Sequence, residues 1–353
     1  MPTTTLKLRA RAWPERAQRL LPGAGICGVL ALAATFVAEH QGGPQLLYAL
    51  LFGMCFHYLL EDPRLGPGIE FTAKTLLRVG VALLGVRISL TQIVALGWFP
   101  LFIVVLGVAS TIGVGVLCAR TWARADTHTG LLTGSAVAIC GASAAMALSA
   151  VLPQDQETEQ RTLLTVVGVT ALSTLAMIFY PPLASLLGLD DHMAGVFLGG
   201  TIHDVAQVVG AGLIFSPQAA ETATLVKLMR VALLVPVVFA ASLYTRRLGQ
   251  LGGAASSGSA WSVLPLFLLG FMALVILNSA NVIPESLTIG LTHISRWCLV
   301  ISIAALGMRT SLGKLASLGW RPVALLVAET AWLALLVLLM LWLLPLGTHQ
   351  GSP

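Results

Sequence analysis

Charge is what this sequence has least of. Only 10% of its 353 residues are Asp, Glu, Lys or Arg, where a water-soluble domain carries about 25%. A soluble two-domain enzyme, a nucleic-acid binder and a disordered chain are excluded on that ground. Cysteine is sparse too. Cys27, Cys55, Cys118, Cys140 and Cys298 make an odd count, all in apolar stretches, with neither disulfide-framework nor metal-site spacing. There is no phosphate-binding glycine loop and no histidine pair at metalloprotease spacing. The expectation is therefore no cofactor, no metal and no soluble-type catalysis: the chain is read as a non-enzyme.

What is present is apolar. Hydrophobic residues make up 57% of the chain, and its mean hydropathy is +0.89. A bilayer-spanning helix needs roughly 20 apolar residues. Eleven stretches qualify, at about 22–38, 45–60, 73–90, 98–119, 130–152, 162–182, 192–215, 220–244, 261–280, 288–308 and 322–346. The fold class expected is an all-α polytopic membrane protein with discontinuous helices. The 35 glycines suit close helix packing and helix breaks. In domain terms, 1–21 is a basic cytoplasmic tail and 22–346 one transmembrane domain. Repeat-like segments lie at about 45–119 and 261–346, a central segment at 130–244 carries the site, and 347–353 is a C-terminal tail. The Gly-, Ala- and Ser-rich stretch 247–260 reads as a flexible linker.

The net charge of +5 reports topology rather than a nucleic-acid footprint. With the N-terminus in the cytoplasm and eleven crossings, 15 of the 20 basic residues fall on the cytoplasmic side. Arg120, Arg124, Arg246, Arg247, Arg309 and Arg321 are among them. Arg87 and Arg161 are then placed outside, and the loop at Asp190 and Asp191 falls inside without adding a positive charge. A repeat supports the architecture. Leu84-Gly85-Val86-Arg87-Ile88-Ser89-Leu90, ending in Leu96-Gly97-Trp98, recurs 222 residues later. The second copy is Leu306-Gly307-Met308-Arg309-Thr310-Ser311-Leu312, ending in Leu318-Gly319-Trp320, and eight of fifteen positions are identical. Seven crossings between the copies make the repeat inverted, a recurring plan of secondary transporters. The signal does not extend clearly into 125–250.

Two segments carry chemistry. In Ser135-Ala136-Val137-Ala138-Ile139-Cys140-Gly141-Ala142-Ser143 a helix break near Cys140-Gly141 would aim free backbone N–H groups into the membrane centre, which suits an anion. A small-residue packing face is the plainer alternative. In Gly200-Thr201-Ile202-His203-Asp204-Val205-Ala206-Gln207, His203 and Gln207 four apart would share a helical face with Asp204 beside them. That gives a proton carrier, or else a buried polar knot between helices. Lys227 and Arg230, three apart in the next apolar stretch, would neutralise Asp204 or attract an anion. Asn278-Ser279, Arg296 and Glu329 are isolated polar groups. A lone membrane Glu is as often an interhelical hydrogen-bonding group as a site.

These blocks resemble the sulfate-exporter (YeiH-type) family of bacterial inner-membrane proteins, from about Leu46 to Leu344. The most specific carriers are Ala138–Ala144, Gly200–Val209 and Lys227-Leu228-Met229-Arg230-Val231, with Asn278-Ser279 and Ala304–Met308 adding to them. The resemblance implies a multi-pass inner-membrane transporter with inverted repeats, similar to the cation/proton antiporter and bile-acid symporter folds, exporting sulfate, sulfite or a related anion. The expected substrate site is Ser135, Cys140, Gly141, Ala142, Ser143, Lys227 and Arg230. Ion coupling is expected at His203, Asp204, Gln207 and Asn278. Expected partners are a small anion, a coupling proton or sodium ion, the lipid bilayer and, as an option, a second copy in a homodimer; nucleic acid is not among them. Two rivals stand beside this: a sodium-coupled carrier, and an intramembrane enzyme with Ser143 as nucleophile.

Overall fold

The computed structural model describes residues 3–42, 44–89, 91, 97–123, 125–153, 156–247, 266–280, 282–310 and 320–343. Most of the expected linker, most of the second repeat copy after Thr310, part of the first copy and the C-terminal tail lie outside the described residues. Every regular element among the described residues is helical. In chain order the α-helices are α1 (Thr3–Gln41), α2 (Gln45–Cys55), α3 (Gly66–Phe71), α4 (Leu77–Leu84), α5 (Phe99–Thr121), α6 (Thr127–Ala138), α7 (Ala142–Ser149) and α8 (Gln156–Leu186). Then follow α9 (Asp191–Thr201), α10 (Val205–Phe215), α11 (Pro217–Ala232), α12 (Leu234–Arg247), α13 (Leu266–Ser279), α14 (Glu285–Arg309) and α15 (Trp320–Leu343). Among the described residues six helical stretches are long and apolar enough to cross a membrane: Gln18–Gln41, Phe99–Thr121, Glu157–Leu186, Pro217–Thr245, Glu285–Arg309 and Trp320–Leu343.

The chain forms two compact units. The first comprises Met1–Arg87, Gly270–Leu277 and Asn281–Ser311. Its helices cross through glycines so closely that backbones touch. A Cβ added at Gly53 would sit 2.1 Å from Ala304 O, and one at Gly307 would sit 2.3 Å from Leu50 O. Gly85, the counterpart of Gly307 in the repeat, likewise leaves only 2.6 Å to Phe271 O. Close approach is therefore what both repeat glycines provide.

The second unit comprises Ile88–Leu269, Asn278–Ala280 and Leu312–Pro353. Helices α5 and α15 are antiparallel: Trp122 packs on Trp320 at 6.0 Å, and Trp332 Nε1 donates to Ser110 Oγ at 3.2 Å. Exposed tryptophans mark both ends of this pair, Trp98 with Trp342 and Trp122 with Trp320. The 23 residues of α5 span about 34 Å, matching a hydrocarbon core of about 30 Å flanked by an aromatic belt.

Between these helices lie the stretches expected as the fifth and seventh crossings. Neither crosses. Helices α6 and α7 have 12 and 8 residues, about 18 and 12 Å. The Arg161 guanidinium on α8 meets Asp126, the N-cap of α6, at 2.8 Å. Thr245 Oγ1, at the end of α12, donates to Val151 O just past α7 at 3.1 Å. Both ends of α6–α7 therefore lie at one end of the unit. The break between them reaches Lys227, midway along α11–α12, which donates to Ile139 O. This is a re-entrant hairpin.

Helices α9 and α10, of 11 residues each, form a second one. A Cβ at Gly195 would lie 2.5 Å from Thr222 Cβ, and one at Gly212 2.5 Å from Ala220 Cα. The two outer limbs thus meet the same opening turns of α11, while Ile202 O at the tip accepts from Lys227. Helix α8, with 31 residues, runs the full thickness between the hairpins, so they enter from opposite ends.

This corrects the sidedness read from eleven crossings. Arg161 lies at the same end as Arg120, whose Nε donates to Thr127 Oγ1 at 2.8 Å. Asp190 and Asp191 lie at the other end. The hairpins also disclose a repeat within 125–250. Asp126 and Asp190 are both N-caps, accepting from Thr129 N and Met193 N. Gly130 and Gly134 seat α6 on α5, as Gly195 and Gly199 seat α9 on α11. Pro153-Gln154 with Glu157-Thr158 recurs as Pro217-Gln218 with Glu221-Thr222, 64 residues on, as do the two Asp caps.

In a cysteine-free variant, single cysteines at Thr127 and Glu157 should be modified by a membrane-impermeant thiol reagent from the same side, and one at Asp191 from the opposite side. Labelling of Thr127 and Glu157 from opposite sides would restore the crossing.

Candidate functional site

The two hairpin tips meet. Gly141, with φ 62°, adopts a backbone conformation that glycine alone takes without strain, and a Cβ there would lie 3.7 Å from His203 Cβ. Together the two tips leave four helix ends close together in the interior of the unit: the C-terminal carbonyls of α6 and α9, and the N-terminal amides of α7 and α10. A helix end buried without partners is costly, since each unpaired buried polar group loses about 1–3 kcal/mol.

Lys227 and Arg230 supply the partners for the carbonyl ends. Both side chains are essentially fully buried. Lys227 Nζ donates to Ile139 O at 2.5 Å and Ile202 O at 2.9 Å. Arg230 reaches four carbonyls: Nε to Ala138 O at 2.7 Å, Nη2 to Val137 O at 2.8 Å, and Nη1 to Gly199 O and Ile202 O, both at 3.1 Å. Cations at helix C-termini answer the negative end of the dipole, and the guanidinium fork can serve two chain segments at once. The expected spacing on one face of α11 holds. Neither cation makes an ion pair with Asp204 among the described residues; Lys227 acts on that carboxylate through space rather than by contact.

The carboxylate does something else. Asp204 caps α10, accepting from Ala206 N at 2.8 Å, while its own N–H donates to Ser173 Oγ at 3.1 Å. The helix breaks at Ile202–Asp204, so His203 and Gln207 do not share a helical face as the spacing suggested. His203 sits in the tip itself. Its Nδ1 lies 3.1 Å from Val137 O and its Nε2 lies 3.0 Å from Thr330 Oγ1. A carbonyl only accepts, so Nδ1 carries the proton there, and in a neutral ring Nε2 accepts from the Thr330 hydroxyl. Gln207 Nε2 donates to Thr174 Oγ1 at 2.7 Å, and its Oε1 is buried without a partner.

The N-terminal end of α7 differs. Gly141 offers no capping side chain. Cys140 is buried, Ala142 half-buried and Ser143 exposed, so this end of the tip is the open one. Ser135 lies on buried α6 with an unpartnered hydroxyl. The structure thus brings Ser135, Cys140, Gly141, Ala142, Ser143, His203, Asp204, Gln207, Lys227 and Arg230 into the two hairpins and the helix behind them. Asn278 stands apart, donating to Ile88 O at 3.2 Å. The sequence reading did not single out Ser173, Thr174 and Thr330, because a hydroxyl in an apolar helix usually bonds its own backbone. Among the described residues no group of three or more His, Cys, Asp or Glu side chains is arranged to hold a metal ion.

Comparison with known proteins places the chain in a family. The model of conserved hypothetical protein 698 matches residues 20–326. Among curated proteins, UPF0324 membrane protein CT0845 of Chlorobaculum tepidum is 50% identical over 324 residues, covering 92% of this chain and 89% of its own. UPF0324 membrane protein TauZ of Paracoccus pantotrophus is 49% identical over 321 residues, covering 91% and 94%. The chain therefore belongs to the UPF0324 family of membrane proteins, consistent with the YeiH-type resemblance. No solved structure matches it significantly.

Replacing Arg230 by Met removes four bonds to two hairpins and should lower unfolding stability by about 3–5 kcal/mol, read as a lower melting temperature in detergent. Ser143→Ala, at an exposed position, should leave it unchanged. Equal melting of the two variants would contradict the bracing role.

Proposed function

We propose that the chain is a secondary transporter for a small anion, with sulfate, sulfite or a related sulfur oxyanion as its substrate class. The observation that supports this most is the electrostatic asymmetry of the hairpin tips. Lys227 and Arg230 answer both carbonyl ends and Asp204 answers the amide end of α10. The amide end of α7 has no capping side chain at Gly141, whose own N–H goes to Ala136 O at 2.8 Å, and it opens at half-buried Ala142 and exposed Ser143. Uncompensated N–H groups at a helix start bind oxyanions without a buried formal charge of their own. Two broken elements meeting inside an inverted repeat also suit the kinship we propose with cation/proton antiporters and bile-acid symporters.

In this reading nine of the eleven apolar stretches cross the bacterial inner membrane and two turn back. The N-terminus is cytoplasmic. The end of the second unit holding Arg120, Arg161 and Arg321 also faces the cytoplasm, by the positive-inside rule, and Asp190 and Asp191 face away. His203 and Asp204, in one tip, take up and release a coupling proton. A sodium-coupled carrier is the second reading, favoured by the unpartnered Gln207 Oε1 beside Asp204. The intramembrane-enzyme reading loses ground, because both ring nitrogens of His203 are engaged by Val137 O and Thr330 rather than by Ser143.

The test is flux of labelled sulfate or sulfite into proteoliposomes under a pH gradient. Asp204→Asn should reduce it at least tenfold, and unchanged flux would sink proton coupling through this pair. Replacing sodium by potassium at fixed pH should change nothing unless sodium is the coupling ion.

A further inference from the structure

Behind the hairpin tips lies a carboxyl that no step above uses. Glu329 on α15 is fully buried. One oxygen, Oε1, accepts from Thr133 Oγ1 of α6 at 2.7 Å, and the other, Oε2, has no partner. Gly115 of α5 makes the space: a Cβ there would lie 2.6 Å from Glu329 Oε1. One helical turn away on the same face of α5, Thr111 is also fully buried, and its hydroxyl is unpartnered. No basic side chain among the described residues pairs with Glu329.

The surroundings leave few neighbours at its depth. Charged and titratable groups on the packed helices mostly sit towards helix ends: Cys118 and Arg120 on α5, Glu157, Glu159, Arg161 and Tyr180 on α8, Asp191 and His192 on α9, and Arg321 on α15 itself. Arg230 meets α6 at Val137 O, one turn from Thr133, where its guanidinium is spent on carbonyls. His128 lies in the first turn of α6 with its Nδ1 unpartnered. His203 is reached through the adjacent Thr330. An ionised carboxylate with one hydroxyl donor and no counter-charge is far too costly in such a place, so the group must be neutralised by something it binds.

We infer that Glu329, with the hydroxyls of Thr133 and Thr111, forms a second site that takes one monovalent cation, a proton or a sodium ion. The site deepens the transport reading and rests on it for its purpose. Glu329 touches the first hairpin through Thr133, and its chain neighbour Thr330 touches the tip of the second through His203. Loading or emptying the carboxyl therefore acts on both hairpins at the point where they meet, which is where a coupling ion must act on an anion bound at the tips.

Infrared difference spectroscopy on the purified full-length protein tests this without a transported substrate. With a proton as ligand, raising the pH should bleach a protonated-carboxyl band that is missing in Glu329→Gln and shifted in Thr133→Val. With sodium as ligand, the same band should be bleached by sodium chloride but not by choline chloride at fixed pH. A spectrum with no Glu329-dependent band under either change would overturn the site. Gradient-driven sulfate or sulfite flux should also fall at least tenfold in Glu329→Gln. If the unaltered protein moves neither anion, the choice of substrate fails while the infrared result still decides for or against Glu329.

Discussion

The second unit depends on one interaction: two buried cations, Lys227 and Arg230, hold the carbonyl ends of two helices that stop inside the protein. A chain that halts a helix in an apolar interior exposes carbonyls that water cannot reach. Six hydrogen bonds from two side chains remove that cost for both hairpins together. In return, the backbone carbonyls solvate two charges that would otherwise be prohibitive at this depth. Neither the breaks nor the cations are tolerable alone; each is the other's solvent.

From that pairing the rest follows in order. The hairpins have to enter from opposite ends so that both carbonyl ends converge on one face of α11. The glycines of α6 and α9 let those limbs lie against α5 and α11 at backbone contact distance. With the carbonyl ends spent on the cations, the amide ends give the tips their remaining polarity. Asp204 caps one of them, and Gly141 has no side chain to cap the other.

Much of this was legible in the sequence, and the failures have physical reasons. Gly141 marked a candidate first break, but a glycine in a run of small residues serves a packing face equally well, so spacing alone did not decide between them. Ile202-His203-Asp204 contains neither glycine nor proline, so the second break read as continuous helix; Asp204 acting as an N-cap is visible only once the helix is seen to restart. The spacing of Lys227 and Arg230 gave their shared face but not their partners, since backbone carbonyls leave no mark in a sequence. The reversal of direction was hidden for a simpler reason. Two limbs of about eleven residues have the summed length of one crossing, and hydropathy measures only the sum. The repeat of Asp126 and Pro153-Gln154 at Asp190 and Pro217-Gln218 was there to be read, but identities so short carry meaning only when both are seen to frame a hairpin.

The central claim is that Lys227 and Arg230 clamp two re-entrant hairpins whose open amide end binds an anion. A density map of the full chain in lipid nanodiscs, recorded with excess selenate as a heavier stand-in for sulfate, tests it most directly. The account predicts chain reversals at 139–141 and 202–204, both cations on the hairpin carbonyls, and tetrahedral density at the start of α7 beside Gly141 and Ser143. Continuous helices through either break, or selenate bound only at the surface, would contradict it.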